Sequence, residues 1–143
     1  MTAVDLPAVP RVLIAEADPW SRDLLKEVLL KVRCDARLDL CADGKDALTR
    51  LAENAYDLVI ADCNMPLMNG YELAAAIRQE EQRTGRPPCT VLGFTANAQP
   101  EEVQRCKQAG MNDCLFKPLS LSALSQWVNG LQPAPPEPAF NLE

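Results

Sequence analysis

The sequence predicts an α/β domain built on a doubly wound parallel sheet. Five short apolar runs alternate with five segments of helical periodicity, the pattern of successive βα units. The central run, DLVIA (57–61), is apolar almost throughout, as in a strand covered by helices on both faces. At 143 residues the chain is one domain, large enough for a single core without staples.

The first strand is VLIA (12–15), which stops abruptly at Glu16, Ala17 and Asp18. Asp18 then suits the N-cap of helix one and Pro19 its first position. Leu24, Leu25, Val28, Leu29 and Val32 make the apolar stripe of that helix. The second strand, ARLDLCA (36–42), sets Ala36, Leu38, Leu40 and Ala42 against Arg37, Asp39 and Cys41. That alternation predicts an edge strand with one wet face. Helix two carries Ala47, Leu48, Leu51 and Ala52 at helical spacing, and DLVIA follows it.

Helix three starts near Asn69-Gly70 and runs through YELAAAIRQEEQ, with Leu73 and Ile77 inward, before a Gly-Pro-Pro loop over 85–88. CTVLGFT (89–95) is the fourth strand. Helix four opens on Pro100-Glu101-Glu102, acids placed where the helix dipole favours them, and Gly110 stops it. DCLF (113–116) is the fifth strand. Ser120 caps helix five, with Leu121, Leu124, Val128 and Leu131 inward. Residues 1–9 read as an N-terminal linker, 10–131 as the domain, and 132–143, with four prolines in six residues, as a Pro-rich tail or linker.

Composition narrows the function. The net charge is −6 and the basic residues are scattered, so no nucleic-acid partner is expected. No apolar stretch approaches the roughly 18 residues of a membrane span, so no direct membrane contact is expected. The N-terminus lacks the features of a signal peptide, which makes a cytoplasmic location the default. The chain contains no histidine, which excludes Ser-His-Asp and Cys-His triads, His-ligated metals and a phosphohistidine of its own. Six cysteines without a CxxC pair are expected to be reduced and to serve as small core hydrophobes.

In an open parallel sheet, ligands sit beyond the carboxyl ends of the strands, where the strand order reverses. The predicted strand ends deliver Glu16, Asp62, Thr95 and Lys117 to that edge, with Pro118 directly after the lysine. A carboxylate can accept a phosphoryl group as an acyl phosphate. A hard divalent cation held by oxygen ligands would orient the phosphoryl oxygens, while a lysine and a hydroxyl pair with them. An aspartate-nucleophile phosphatase needs Asp-x-Asp, and the second position here is Asn64.

The segments VLIAEADPWSR, YDLVIADCNMPLMNGYEL, GFTANA and CLFKPLS, in this order and spacing, resemble the CheY-like receiver domain of two-component response regulators. The wording of GFTANAQPEEVQRCKQAGMNDCLFKPLSLSAL is most similar to receivers of BvgS/EvgS-type hybrid sensor histidine kinases. The resemblance implies a flavodoxin-like (βα)5 fold with strand order 2-1-3-4-5. It implies Asp62 as phosphoacceptor, taking its phosphoryl group from a histidine kinase or histidine phosphotransfer domain in a Mg2+-dependent phosphorelay. Glu16, Asp62 and the backbone carbonyl of Asn64 would hold the magnesium. Thr95 and Lys117 would bind the phosphoryl group, and Thr95 would switch together with the residue at position 114. Such a domain is a signalling phosphoacceptor, with any histidine kinase activity outside this chain.

Two positions depart from the pattern. Ala17 stands where the family has an acid that binds magnesium directly, so weakened magnesium binding is expected, with Asp18 as the obvious substitute ligand. Cys114 stands where the family has a rotating aromatic. The alternative is therefore a degenerate receiver that acts as a phosphorylation-independent interaction module.

Overall fold

The structure, a computed structural model, describes residues 9–129. Its strands are β1 (Arg11–Ala15), β2 (Arg37–Cys41), β3 (Leu58–Asp62), β4 (Thr90–Thr95) and β5 (Asp113–Phe116). Its helices are α1 (Pro19–Val32), α2 (Gly44–Glu53), α3 (Gly70–Thr84), α4 (Pro100–Ala109) and α5 (Leu121–Asn129). All strand pairings are parallel and the order is β2-β1-β3-β4-β5. This is the flavodoxin-like arrangement expected from the sequence, with β3 shifted by one residue so that Asp62 is its last member.

Alternation along the strands sorts the core into two layers. Val12, Ile14, Leu58, Ile60, Leu92, Phe94 and Leu115 face one side and pack against Leu25 and Leu29 of α1 and Leu124 and Val128 of α5. Leu13, Ala15, Val59, Ala61, Val91 and Cys114 face the other, under Ala47 of α2, Leu73 and Ile77 of α3 and Cys106 of α4. Each fully buried aliphatic side chain contributes about 1.5–3 kcal/mol of transfer free energy, so the sheet is held from both sides.

The helix signals have local causes. Asp18 caps α1 by accepting from Ser21 N at 3.1 Å, and Asp43 caps α2 by accepting from Asp46 N at 2.8 Å. Asn69 and Glu72 form a reciprocal capping box at α3. Gly85 and Gly110 end α3 and α4 with φ of 74° and 112°, the left-handed region that glycine adopts without a side-chain clash.

Several sequence expectations need correcting. Leu24 and Leu121, expected on inner faces, are 51 % and 56 % exposed. Leu24 lies on the flank of the α1 stripe, which narrows to Leu25, Val28, Leu29 and Val32. Leu121 sits in the first turn of α5, ahead of the turn that meets the sheet. The wet face of β2 is not wet at its end: Cys41 is buried toward α2, while Asp39 accepts a hydrogen bond from Tyr56. Glu102 stands in the first turn of α4, as expected, and is buried there. Cys34 is exposed, and Cys106 and Cys114 are joined in a disulfide because α4 lays Cys106 over β5, with Cα atoms 6.7 Å apart. Leu131 and the tail lie outside the described residues.

Candidate functional site

The strand order places the reversal between β1 and β3, because the chain runs from β1 out to β2 and returns to β3 on the other side. Glu16 follows β1, and Asp62 ends β3 beside it. Thr95 ends β4 and Lys117 follows β5, so parallel register alone brings all four to one edge. A groove of about 810 Å3 lies elsewhere. It is lined by Asp57, Cys89 and Thr90 at the opposite strand ends and contains none of these four.

Lys117 organises the cluster. Its Nζ stands 3.4 Å from Glu16 Oε1 and 3.4 Å from Asp62 Oδ2, and 4.9 Å from the centre of the Phe94 ring. The Lys117–Pro118 peptide is cis. Glu16 is 1 % exposed and Asp62 5 %, so both carboxylates are held almost out of water. Asp62 Oδ1 accepts from Asn64 N at 3.0 Å, which fixes the loop after β3 against the acid. Thr95 is buried, and its Oγ1 accepts from Asn97 N at 3.1 Å. Glu16 Oε2 accepts from Asp18 N at 2.9 Å, and its carbonyl accepts from Arg22 at 2.9 Å.

Burial is the main cause that pushes the Glu16 carboxyl up to about 7, and a hydrogen bond shared with Asp62 adds to it. The Asp18 amide and the Lys117 ammonium pull the other way. One lysine between two buried carboxylates leaves one negative charge over, and a proton on Glu16 or a bound cation compensates it. Glu16 Oε1 is buried with no hydrogen-bond donor. This donor-poor oxygen, a neighbouring carboxylate and nearby backbone carbonyls are hard ligands of the kind magnesium takes, and magnesium keeps waters for its remaining positions. The residues present fit that ion.

Asp18 is placed differently from the others. Its Oδ2 accepts from both Ser21 N and Ser21 Oγ, at 3.1 and 3.0 Å, and these bonds hold its carboxyl below the usual range. Its charge thus serves the end of α1. Ala17 is half-buried and packs against the α2–α4 layer. Cys114 is buried on β5 opposite Gly93 and bonded to Cys106. Burial pushes the Cys63 thiol, next to Asp62, up to about 11.

One contributor went unread in the sequence. Gly70 begins α3 so close to β3 that a Cβ there would stand 2.6 Å from the carbonyl oxygen of Asp62. A glycine directly after the Asn69 cap was a visible signal, but it reads equally well as a helix start. Leu67, in the same loop, has φ of 70°, a strained value for a side chain of its size.

A parallel sheet in this order, with two acids, a threonine and a lysine at its carboxyl edge, defines the class of CheY-like signalling domains. The response regulator receiver domain family matches residues 12–129, and the chain belongs to that family. It is 51 % identical to the virulence sensor protein BvgS of Bordetella bronchiseptica over 102 residues, covering 66 % of this chain and 8 % of that protein. It is 41 % identical to the sensor protein EvgS of Escherichia coli over 128 residues, 90 % of this chain and 10 % of that one. The chain therefore spans about a tenth of the length of these sensor proteins. Among solved structures, the receiver domain of the yeast response regulator Ssk1, crystallised with the histidine phosphotransfer protein Ypd1, has a TM-score of 0.79 and 26 % identity. That match covers 87 % of this chain and 90 % of that one. The receiver domain of the sensor histidine kinase PA1611 of Pseudomonas aeruginosa has magnesium in its active-site cleft. It has a TM-score of 0.73 and 30 % identity, covering 85 % of this chain and 96 % of that one.

Proposed function

We propose that this chain is the phosphoacceptor receiver of a phosphorelay, part of a hybrid sensor kinase, with Asp62 taking a phosphoryl group from a phosphohistidine on a kinase or phosphotransfer domain. The observation that carries this reading is Lys117 Nζ held at 3.4 Å from both Asp62 and Glu16 at the switch point of the sheet. An Asp62 carboxylate oxygen forms the new P–O bond as the P–N bond to imidazole breaks, and the proton needed by the departing imidazole comes from the donor side. Lys117 turns from the carboxylate pair toward the phosphoryl oxygens, and Thr95 Oγ1 exchanges its contact with Asn97 for a bond donated to one of them. Glu16, Asp62 and the Asn64 carbonyl would hold magnesium, which supplies charge neutralisation and orientation to the phosphoryl group.

Docking of a partner is supported by α1, where Trp20 is 85 % exposed and Leu24 follows one turn later, next to Asp18 and the site. Among the described residues no helix is long and apolar enough to cross a membrane. The alternative of a degenerate module draws no support from the geometry, since Asp62, Thr95 and Lys117 are all assembled.

Intact mass after incubation with a small phosphodonor tests the reading. A magnesium-dependent gain of one phosphoryl group, absent in Asp62→Asn, is expected. Ala17→Asp restores a third carboxylate and is expected to tighten magnesium about tenfold or more. No phosphoryl gain in the parent, with gain in Ala17→Asp, would overturn the phosphoacceptor reading in favour of the degenerate module.

A further inference from the structure

Glu102, in the first turn of α4, is 5 % exposed and accepts a hydrogen bond from the neutral hydroxyl of Tyr71. It forms no ion pair with a lysine or arginine among the described residues. Arg105, the nearest candidate on its own helix, lies over the Tyr71 ring at 4.0 Å instead. A carboxylate this buried is rarely left without a positive partner.

What surrounds it is sulfur. A Glu102 carboxylate oxygen, Cys63 Sγ and Cys106 Sγ all lie within 4.8 Å of one another. The Cys63 and Cys106 sulfurs are 3.9 Å apart, and Cys114 is bonded to Cys106. Gly93 on β4 leaves the space they fill: a Cβ there would stand 3.2 Å from Cys63 Sγ and 3.3 Å from Cys106 Sγ. Zinc is four-coordinate, with Zn–S near 2.3 Å and Zn–O at about 2.0–2.2 Å, which sets ligand-to-ligand distances of roughly 3.4–3.8 Å. The observed sulfur separation is close to that, and the set of ligands is soft where the Glu16–Asp62 edge is hard.

We propose that, once the Cys106–Cys114 disulfide is reduced, Cys63, Cys106, Cys114 and Glu102 form a buried site for one thiophilic divalent cation of the Zn2+ class. Reduction takes two electrons and two protons from two small-molecule thiols, which leave as their own disulfide. Cation binding then releases the three cysteine thiol protons to solvent, and Glu102 enters as the carboxylate. The disulfide and the cation compete for the same two sulfurs, so each state excludes the other. Cys63 adjoins Asp62 and Cys114 precedes Lys117 by three residues, so the site shares strands with the phosphoacceptor edge while using none of its ligands.

The test uses the whole chain with Cys34→Ala and Cys89→Ala, so that the thiols of exposed Cys34 and half-buried Cys89 do not compete. The protein is reduced, freed of reductant without oxygen, and titrated with Zn2+ alone against a chromophoric chelator. The expected result is one Zn2+ per chain with three thiols protected from alkylation. Co2+ in its place should give the strong absorption of sulfur-to-metal charge transfer. Glu102→Gln, which keeps the shape of the side chain, and Cys63→Ala should each weaken Zn2+ by more than about tenfold. Cys41→Ala, buried elsewhere, should leave it unchanged. Circular dichroism shows whether each variant is folded, and Cys63→Ser takes the place of Cys63→Ala if that variant is not. Equal Zn2+ uptake by the oxidised and reduced chains overturns the proposal, and so does parental affinity in folded Glu102→Gln and Cys63 variants.

Discussion

The two faces of the sheet are built from different materials. Toward α1 and α5 the buried side chains are almost all large aliphatics: Val12, Ile14, Leu25, Leu29, Leu58, Ile60, Leu92, Leu115, Leu124 and Val128, with Phe94. Toward α2, α3 and α4 the layer mixes Leu13, Val59, Leu73, Ile77 and Val91 with Ala15, Ala47, Ala61 and Ala74 and with Cys41, Cys63, Cys106, Cys114, Met65 and Met111. Beyond the carboxyl edge, where Glu16, Asp62 and Thr95 lie, the buried polar residue is Glu102, held with its Tyr71 partner on the second face. Close-packed branched side chains define one arrangement of their neighbours, while small residues and unbranched thioethers accept several. The aliphatic face therefore acts as the scaffold, and the sulfur-rich face is the one more able to rearrange.

The largest effect expected from this contrast is on the scaffold. Leu29→Ala should cost about 3 kcal/mol, read as a lower urea midpoint with the slope unchanged. A loss below about 1 kcal/mol would mean that the aliphatic face is no better packed than its opposite. Next comes the disulfide, which closes a short loop of sequence separation 8. Its reduction should lower the unfolding free energy by about 2 kcal/mol, measured by urea titration with and without reductant. Cys106→Ala with Cys114→Ala should then show no further response to reductant.

Gly93→Ala probes how far the sulfur-rich face yields. The added Cβ would meet Met111 Sδ at 2.7 Å, the far part of a flexible side chain, so a cost of about 1 kcal/mol is expected. A cost near that of Leu29→Ala would erase the contrast. A pH-dependent effect lies at the edge where the faces meet. The folded-state value of Glu16, about 7, exceeds its ordinary 4.5, so the folded protein holds this proton more tightly than the unfolded chain does. Its contribution is full below pH 4.5 and is lost as pH rises toward about 7. Without magnesium, the melting temperature should fall over that interval, and Glu16→Gln should flatten the fall.

Much of this was readable along the chain. The N-cap at Asp18, the start of helix three near Asn69-Gly70, the stop at Gly110 and the alternation of strands with helices are local signals, and the structure places each within one or two residues. The convergence of Glu16, Asp62, Thr95 and Lys117 was legible because strand ends in a parallel sheet share an edge. The misread residues depend on contacts across the fold. Whether Leu24 or Leu121 is covered is decided by how far the neighbouring element reaches, and helical spacing alone does not report that. The burial of Glu102 is not legible in the sequence, because nothing near it along the chain shows Tyr71 waiting on α3. The pairing of Cys106 with Cys114 needed the angle at which α4 crosses β5.

By itself the sequence determined the succession of elements, the parallel sheet and the four side chains at its carboxyl edge. Periodicity, capping and strand ends are properties of neighbouring residues, and those are written in order along the chain. Only the tertiary structure decided that one lysine stands between two buried acids, that Asp18 serves its helix, and that two sulfurs meet a buried carboxylate. Those relations join residues dozens of positions apart, and their distances exist only after the sheet has closed the space between them.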